Sequence, residues 1–376
     1  MNQRAKSWIK NAKFVGRVYF VVVFAVIKIL QLFVKPQENR ILFMSYSGRQ
    51  YSDTPKEAYL ALKDDSAFAN FEFFWAFNEP DKFPQVDAAH KVNSNSPLFF
   101  LELLKSRYWI ANSSIERLVP FKHPRNIYIQ FWHGIPMKTL GRDEKGLAPL
   151  VRYWYKHAQF DYLFTYGQYD AEKFKRIFPQ TKHILNVGQL RKRIVIRRAK
   201  KGREELLREF GISGDKPILL YVPTFRSYQP TVATNFSIGF LEQLAEHYTV
   251  LYRGHYFDTD NQPVNLELVN RKSLYKLFAI ADMLVTDYSS VIFDYAALEK
   301  PIYLFQPDID EYKLKRGLYL AGEDTNLPVA HSEQELWELL VQPYDQANVE
   351  QLLQQYNDHQ PDEALITLKD IIKNAQ

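Results

Sequence analysis

The sequence predicts an α/β protein of two Rossmann-like halves in tandem, with an apolar, membrane-associating helix ahead of them. Three observations carry this expectation. Apolar runs of strand length alternate with helix-patterned segments along most of the 376 residues, the rhythm of βαβ units on a parallel sheet. That rhythm stops in a basic, turn-rich stretch near residues 190–215 and then restarts. An apolar run, Val18–Val34, lies among bases before the first strand.

Residues 1–38 are the membrane-associating segment. Seven Lys or Arg and no acid fall between Met1 and Gln37. "VYFVVVFAVIKILQLFV" would reach about 25 Å as a helix, short of a hydrocarbon core of roughly 30 Å, and Lys28 interrupts it. A signal peptide shares the basic start and apolar middle, but "KPQENRILF" offers no small-residue cleavage site. The segment therefore reads as a monotopic or shallow anchor at the cytoplasmic face of the cell membrane, the alternative being a buried first helix. Its bases would face an anionic membrane surface, where each contributes about 1 kcal/mol.

Residues 39–200 form the first α/β domain. Its strand candidates are Arg40–Tyr46, Phe71–Phe77, Tyr108–Asn112, Ile127–His133, Tyr162–Gly167 and His183–Gly188, with helices expected at Lys56–Lys63, Pro97–Ser106 and Gln168–Phe178. Residues 201–376 form the second. There the strands are Pro217–Phe225, Tyr248–Gly254, Ala281–Tyr288 and Pro301–Asp308, the helices Phe240–His247, Ser273–Ile280 and Val291–Leu298, and the tail from Ser332 is helical. In open parallel sheets ligands bind outside the carboxyl ends of the strands, so the expected site is a central cleft faced by both halves.

Composition excludes several classes. A hydrophobic share of 46% rules out a disordered chain. The absence of cysteine removes disulfides, zinc–thiolate sites and thiol nucleophiles, and fits a cytoplasmic setting. Dehydrogenase, P-loop kinase, zincin and α/β-hydrolase readings lose their motifs. A second basic run, Arg191–Arg203, carries eight bases and no acid.

Four stretches stand just after strand ends: "FWHG" (Phe131–Gly134), "VPTFR" (Val222–Arg226), "YRGHYF" (Tyr252–Phe257) and "VTDYSSVIFDYAAL" (Val285–Leu298). They offer His133, Thr224, Arg226, His255, Asp287, Ser289 and Ser290. The Ser pair is either an ordinary helix cap or a phosphate site at a helix N-terminus. Arg226 suits bidentate contact with phosphate or carboxylate. "DTD" (Asp258–Asp260) and "DID" (Asp308–Asp310) look like metal-binding triplets, but such triplets arise easily by chance and solvated acidic loops explain them better, so neither metal nor other cofactor is expected.

As a set these motifs resemble the CDP-glycerol glycerophosphotransferase family of teichoic acid synthesis. The resemblance runs from about Arg40 to Leu327 through "SYSGRQYSDTPKEAYLAL", "QFWHGIPMKTLG", "YVPTFR", "ADMLVTDYSSVIFDYA" and "PIYLFQPDIDEYKLKRGLY". It implies a GT-B-like fold without a metal and a CDP-glycerol or CDP-ribitol donor. The implied acceptor is a polyprenyl-diphosphate-linked saccharide or a polyol-phosphate chain, with no nucleic acid partner. By the same resemblance His133 is the general base, and Arg226, His255, Ser289 and Ser290 hold the donor diphosphate. The pattern departs at Tyr256, at "GQLRKRI" and at "LPVA". Two other readings are a GT-B glycosyltransferase using a nucleotide sugar, and a non-catalytic basic protein that binds membrane or nucleic acid.

Overall fold

The computed structural model describes residues 13–200, 202–224, 226, 236–254, 267–269 and 272–375. The chain divides into two compact units. Unit 1 comprises Met1–His133, Leu140–Arg191 and His359–Gln376, and unit 2 comprises Gly134–Thr139 and Lys192–Asp358.

Unit 1 is built on seven strands: β1 (Gln37–Met44), β2 (Glu72–Phe77), β3 (Lys91–Asn93), β4 (Ser106–Ala111), β5 (Ile127–Gln130), β6 (Tyr162–Thr165) and β7 (His183–Asn186). Their order is β3-β2-β1-β4-β5-β6-β7, all parallel. The chain doubles back between β1 and β4, the switch point at which such sheets open a crevice. Ile41, Phe43, Trp75, Tyr108 and Ile110 are wholly buried, as expected of central parallel strands covered on both faces.

Unit 2 repeats the plan with β8 (Ile218–Val222), β9 (Thr249–Tyr252), β10 (Glu267–Leu268), β11 (Met283–Thr286), β12 (Ile302–Phe305) and β13 (Val329–Ala330). The order β10-β9-β8-β11-β12-β13 is again parallel, and its switch point lies between β8 and β11. Leu219, Tyr221, Val285 and Leu244 centre its own core. The edge strands β3, β10 and β13 have two or three residues each, too few to leave an apolar period in sequence.

The tail departs from the contiguous division at residue 200. The helix Glu363–Asn374 belongs to unit 1, where Leu365, Leu368 and Ile372 join the core of Tyr108, Phe68 and Ile41. Tyr108 Oη donates to Ile372 O at 3.0 Å, and Lys369 pairs with Asp65 at 2.7 Å. Its apolar stripe needs a partner face, and the unit 1 sheet supplies it.

The N-terminal helix, Lys13–Phe33, packs on the unit 1 helices Phe99–Lys105 and Pro149–His157. Ile27 is fully buried and Phe20 meets Tyr153 edge-on at 4.9 Å. Its other side leaves Phe14, Val18, Val21, Val22, Ile29, Leu32 and Phe33 exposed. The stretch Phe14–Phe33 is long and apolar enough to cross a membrane by length and composition.

Candidate functional site

Each unit gathers polar side chains at the carboxyl ends of its central strands. In unit 1 the expected strand Ile127–His133 ends early, at Gln130. Phe131 still donates its N–H to Ala111 O at 2.9 Å, and the Gln130 side chain then accepts from Trp132 N–H at 2.9 Å. Trp132 takes φ +56°. A left-handed non-glycine residue costs about 1–3 kcal/mol and persists only where packing over-determines it. Here the indole lies 5.0 Å from the Phe178 ring and stacks on His133 at 4.4 Å. The turn that presents His133 is thus made first by Trp132, and only then by Gly134 at φ +139°.

His133 is half-buried, with Nδ1 2.7 Å from Asn112 O. A carbonyl only accepts, so Nδ1 carries the proton and Nε2 keeps its lone pair. No described residue hydrogen-bonds Nε2. Burial pushes the imidazole pKa down to about 4; the Asn112 carbonyl and Asp53 oppose the shift, and Arg191 and Arg49 add to it. The ring is therefore neutral near pH 7, with one nitrogen set to accept a proton.

Asn112 is itself braced. Its Nδ2 donates to Asp53 Oδ2 at 2.7 Å, and its Oδ1 accepts from Tyr46 N–H at 2.8 Å. Asp53 also accepts from Tyr46 Oη at 2.7 Å and pairs with Arg191 through Nε at 2.8 Å and a terminal nitrogen at 2.6 Å. Tyr46, Ser47 and Asp53 all hold positive φ, so backbone strain gathers around the imidazole. Arg191 is buried in this pair, which withdraws it from the exposed basic run read in the sequence. Arg203 of the same run pairs with Asp282 at 2.6 Å.

In unit 2 the loops after β8 and β11 bring Thr224, Arg226 and Asp287 together. Thr224 N–H donates to the Asp287 carboxylate at 2.9 Å, and the Thr224 hydroxyl bonds it as well. Arg226 places one terminal nitrogen 2.6 Å from both Asp287 Oδ2 and Thr224 O, while Nε and the other terminal nitrogen hold Asp308 at 2.8 and 2.9 Å. Burial works against the guanidinium charge, but Asp308 and Asp287 outweigh it and hold Arg226 charged. Tyr288 Oη donates to Asp308 Oδ1 at 3.0 Å, and its ring stacks on Tyr312 at 3.9 Å.

Ser289 and Ser290 begin the next turn. Ser289 Oγ accepts from Val291 N–H at 3.4 Å, and Ser290 makes no side-chain cap. The helix there is only Val291–Tyr295, followed by a 3-10 turn at Ala296–Leu298. The expected helix Val291–Leu298 is thus present, as a short α-helix that tightens into a 3-10 turn. His255 and Asp258–Asp260 lie outside the described residues. Asp308, read as a solvated acid, is ion-paired with Arg226. Among the described residues no group of three or more His, Cys, Asp or Glu is placed to hold a metal.

Sequence reasoning missed Tyr46, Asp53, Asn112, Arg191 and Asp308 as site residues. Tyr46, Asp53, Arg191 and Asp308 stand inside stretches already singled out and Asn112 ends an expected strand, and those were the available signals.

The chain is 30% identical over 312 residues to the teichoic acid poly(glycerol phosphate) polymerase of Staphylococcus epidermidis, covering 76% of this chain and 43% of that one. It thus spans less than half of that relative's length. It is 29% identical to the teichoic acid glycerol-phosphate transferase of Staphylococcus aureus, over 83% of this chain and 86% of the relative. Solved structures of the wall teichoic acid polymerase TagF, one of them soaked with CDPG, match 96% of this chain and 97% of theirs, at TM-score 0.80 and 26% identity. Residues 26–366 match the family model, so the chain belongs to the CDP-glycerol:poly(glycerophosphate) glycerophosphotransferase family.

Proposed function

We propose that this chain transfers glycerol phosphate from CDP-glycerol to a hydroxyl of a lipid-linked acceptor in teichoic acid synthesis, releasing CMP. The observation that carries the reading is His133, held neutral with its proton on Nδ1 by the Asn112 carbonyl. The acceptor is a polyprenyl-diphosphate-linked saccharide or a growing polyol-phosphate chain. Its hydroxyl oxygen attacks the β-phosphorus of the donor and its proton passes to Nε2. The bond from that phosphorus to the bridging oxygen breaks, and CMP leaves with the electron pair.

A loose phosphoryl transition state asks little of the nucleophile, so a weak base that takes the proton late suffices. Such help is worth about 10²–10⁴-fold. We place the donor on unit 2, beside Thr224, Arg226, Asp287, Ser289 and Ser290, with His255 added by the family resemblance. This is the GT-B-like division of labour, one Rossmann-like half for each substrate.

The acceptor's lipid calls for a membrane surface. The helix Lys13–Phe33 buries one side on unit 1 and shows Phe14, Leu32 and Phe33 on the other, each more than three-quarters exposed. A helix tied along a protein face cannot be ringed by lipid, so we read it as lying in the cytoplasmic leaflet. Arg152 and Lys156 are exposed on the adjoining helix, beside the 40% exposed Tyr153, a pairing suited to anionic headgroups.

The test is CMP release from CDP-glycerol with a lipid-linked disaccharide, comparing wild type with His133→Ala. Acceptor-dependent release that falls at least 100-fold in the variant, with donor binding kept, supports both transfer and base. Release that persists in the variant removes His133 from the chemistry. Turnover only with CDP-ribitol would reassign the polyol, and turnover only with a nucleotide sugar would make the chain a glycosyltransferase.

A further inference from the structure

Arg226 has little left to offer a phosphate. A guanidinium carries five N–H donors, and among the described residues four hydrogen bonds already go to Asp308, Asp287 and Thr224. The charge of Arg226 is already matched by the two carboxylates it binds, Asp287 and Asp308. A donor diphosphate arriving beside it needs another positive charge.

Lys138 stands in the same unit and has the opposite character. It is half-buried, and no described residue makes a hydrogen bond or ion pair with its ammonium. Its Nζ lies 5.8 Å from the centre of the Tyr312 ring, which in turn stacks on Tyr288, the partner of Asp308. The charges that reach it are Asp287, Arg316 and Arg226. Burial, which outweighs the opposing pull of Asp287, pushes its pKa down to about 8. The ammonium is partly desolvated and lacks a close counterion among the described residues, an arrangement that favours the arrival of an anion.

The placement is rigid. The segment Gly134–Thr139 pairs with the stretch after the helix Ile309–Lys315: Lys138 bridges Leu318, Tyr319 N–H donates to Met137 O at 2.7 Å, and Thr139 Oγ1 donates to Arg316 O at 2.8 Å. Gly317, at φ +77°, makes the approach possible, since a Cβ there would meet Thr139 Oγ1 at 2.7 Å.

We infer that Lys138 is the cation that binds the donor diphosphate, and that Arg226 is a positioning residue which ties Asp287 and Asp308 beside it. This rests on the proposed CDP-glycerol reading. As CMP departs, the ammonium would neutralise charge gathering on its phosphate. In sequence the proposed base and the proposed cation stand five residues apart, His133 in unit 1 and Lys138 in unit 2.

Titration calorimetry of CDP-glycerol into the full chain tests this, comparing wild type with Lys138→Ala, Lys138→Gln and Lys138→Arg. Removing a charge-assisted hydrogen bond to the diphosphate should raise Kd about 10–100-fold in the Ala and Gln variants, with Lys138→Arg within several-fold of wild type. Thermal melting of each variant shows that the fold is kept, and Gln serves if Ala does not fold. A Kd within twofold of wild type in Lys138→Gln overturns the inference and leaves the transferase reading standing. A wild type that does not bind CDP-glycerol overturns both.

Discussion

At the scale of residues, the proposed chemistry turns on how His133 is held rather than on its presence alone. Its depressed pKa has a definite sign. Between about 4 and the ordinary 6.5 the folded imidazole stays neutral where an exposed one would protonate. Loss of activity through this base is therefore expected only as pH falls toward about 4. A pH profile of kcat/KM with an acid limb centred near 6.5 would show that His133 is not so buried in the working enzyme. The brace behind it should be equally sensitive. Asp53 and Arg191 form a buried pair with side chains 2% and 7% exposed. Removing either partner strands the other charge, which typically costs 3–5 kcal/mol. Arg191→Ala should melt at markedly lower temperature and lose turnover faster than donor binding, which calorimetry and CMP release separate.

At the scale of elements, two helices depend on partners that their own sequences do not name. The helix Pro149–His157 is held by Glu116, which is buried and accepts from Trp154 Nε1 at 2.5 Å and Tyr128 Oη at 3.1 Å. Burial raises the Glu116 pKa to about 7, against the pull of these hydrogen bonds. A raised carboxyl pKa means that the folded state binds the extra proton between the ordinary value and 7, so this contribution fades as pH rises through that window. Glu116→Gln should fold well and flatten that part of the stability–pH curve, while Glu116→Leu, which strands two buried donors, should lose about 2–5 kcal/mol by denaturant titration. The second is Glu363–Asn374. Truncation after Gln360 would uncover the sites of Leu365, Leu368 and Ile372, worth roughly 4–9 kcal/mol of apolar burial. The truncated chain should be recovered largely insoluble; full solubility and an unchanged melting temperature would refute the role given to this helix.

At the scale of the whole molecule, the proposed membrane role rests chiefly on the helix Lys13–Phe33, with Pro149–His157 beside it. Deleting residues 1–33 should abolish sedimentation with anionic vesicles while leaving CDP-glycerol binding intact; co-sedimentation that survives would move the docking surface elsewhere. The strand–helix rhythm, the two sheets and the strand-end positions of His133, Thr224, Arg226 and Asp287 were all legible in the chain. Such features are written locally, as runs of buried residues and the turns that end them. The family motifs were legible for the same reason. The partners were not. Asp53 meets Arg191 across 138 positions, Arg226 meets Asp308 across 82, and the last helix returns to pack on unit 1. Nothing local marks a carboxylate as the mate of one distant arginine, because an ion pair leaves no period. Sequence by itself determined the architecture and the candidate side chains at the strand ends. The tertiary structure alone decided which nitrogen of His133 bears the proton, which arginine is already occupied and which nearby lysine has no hydrogen-bond or ion-pair partner among the described residues. Those are properties of distance and burial, and they arise only when the chain closes on itself.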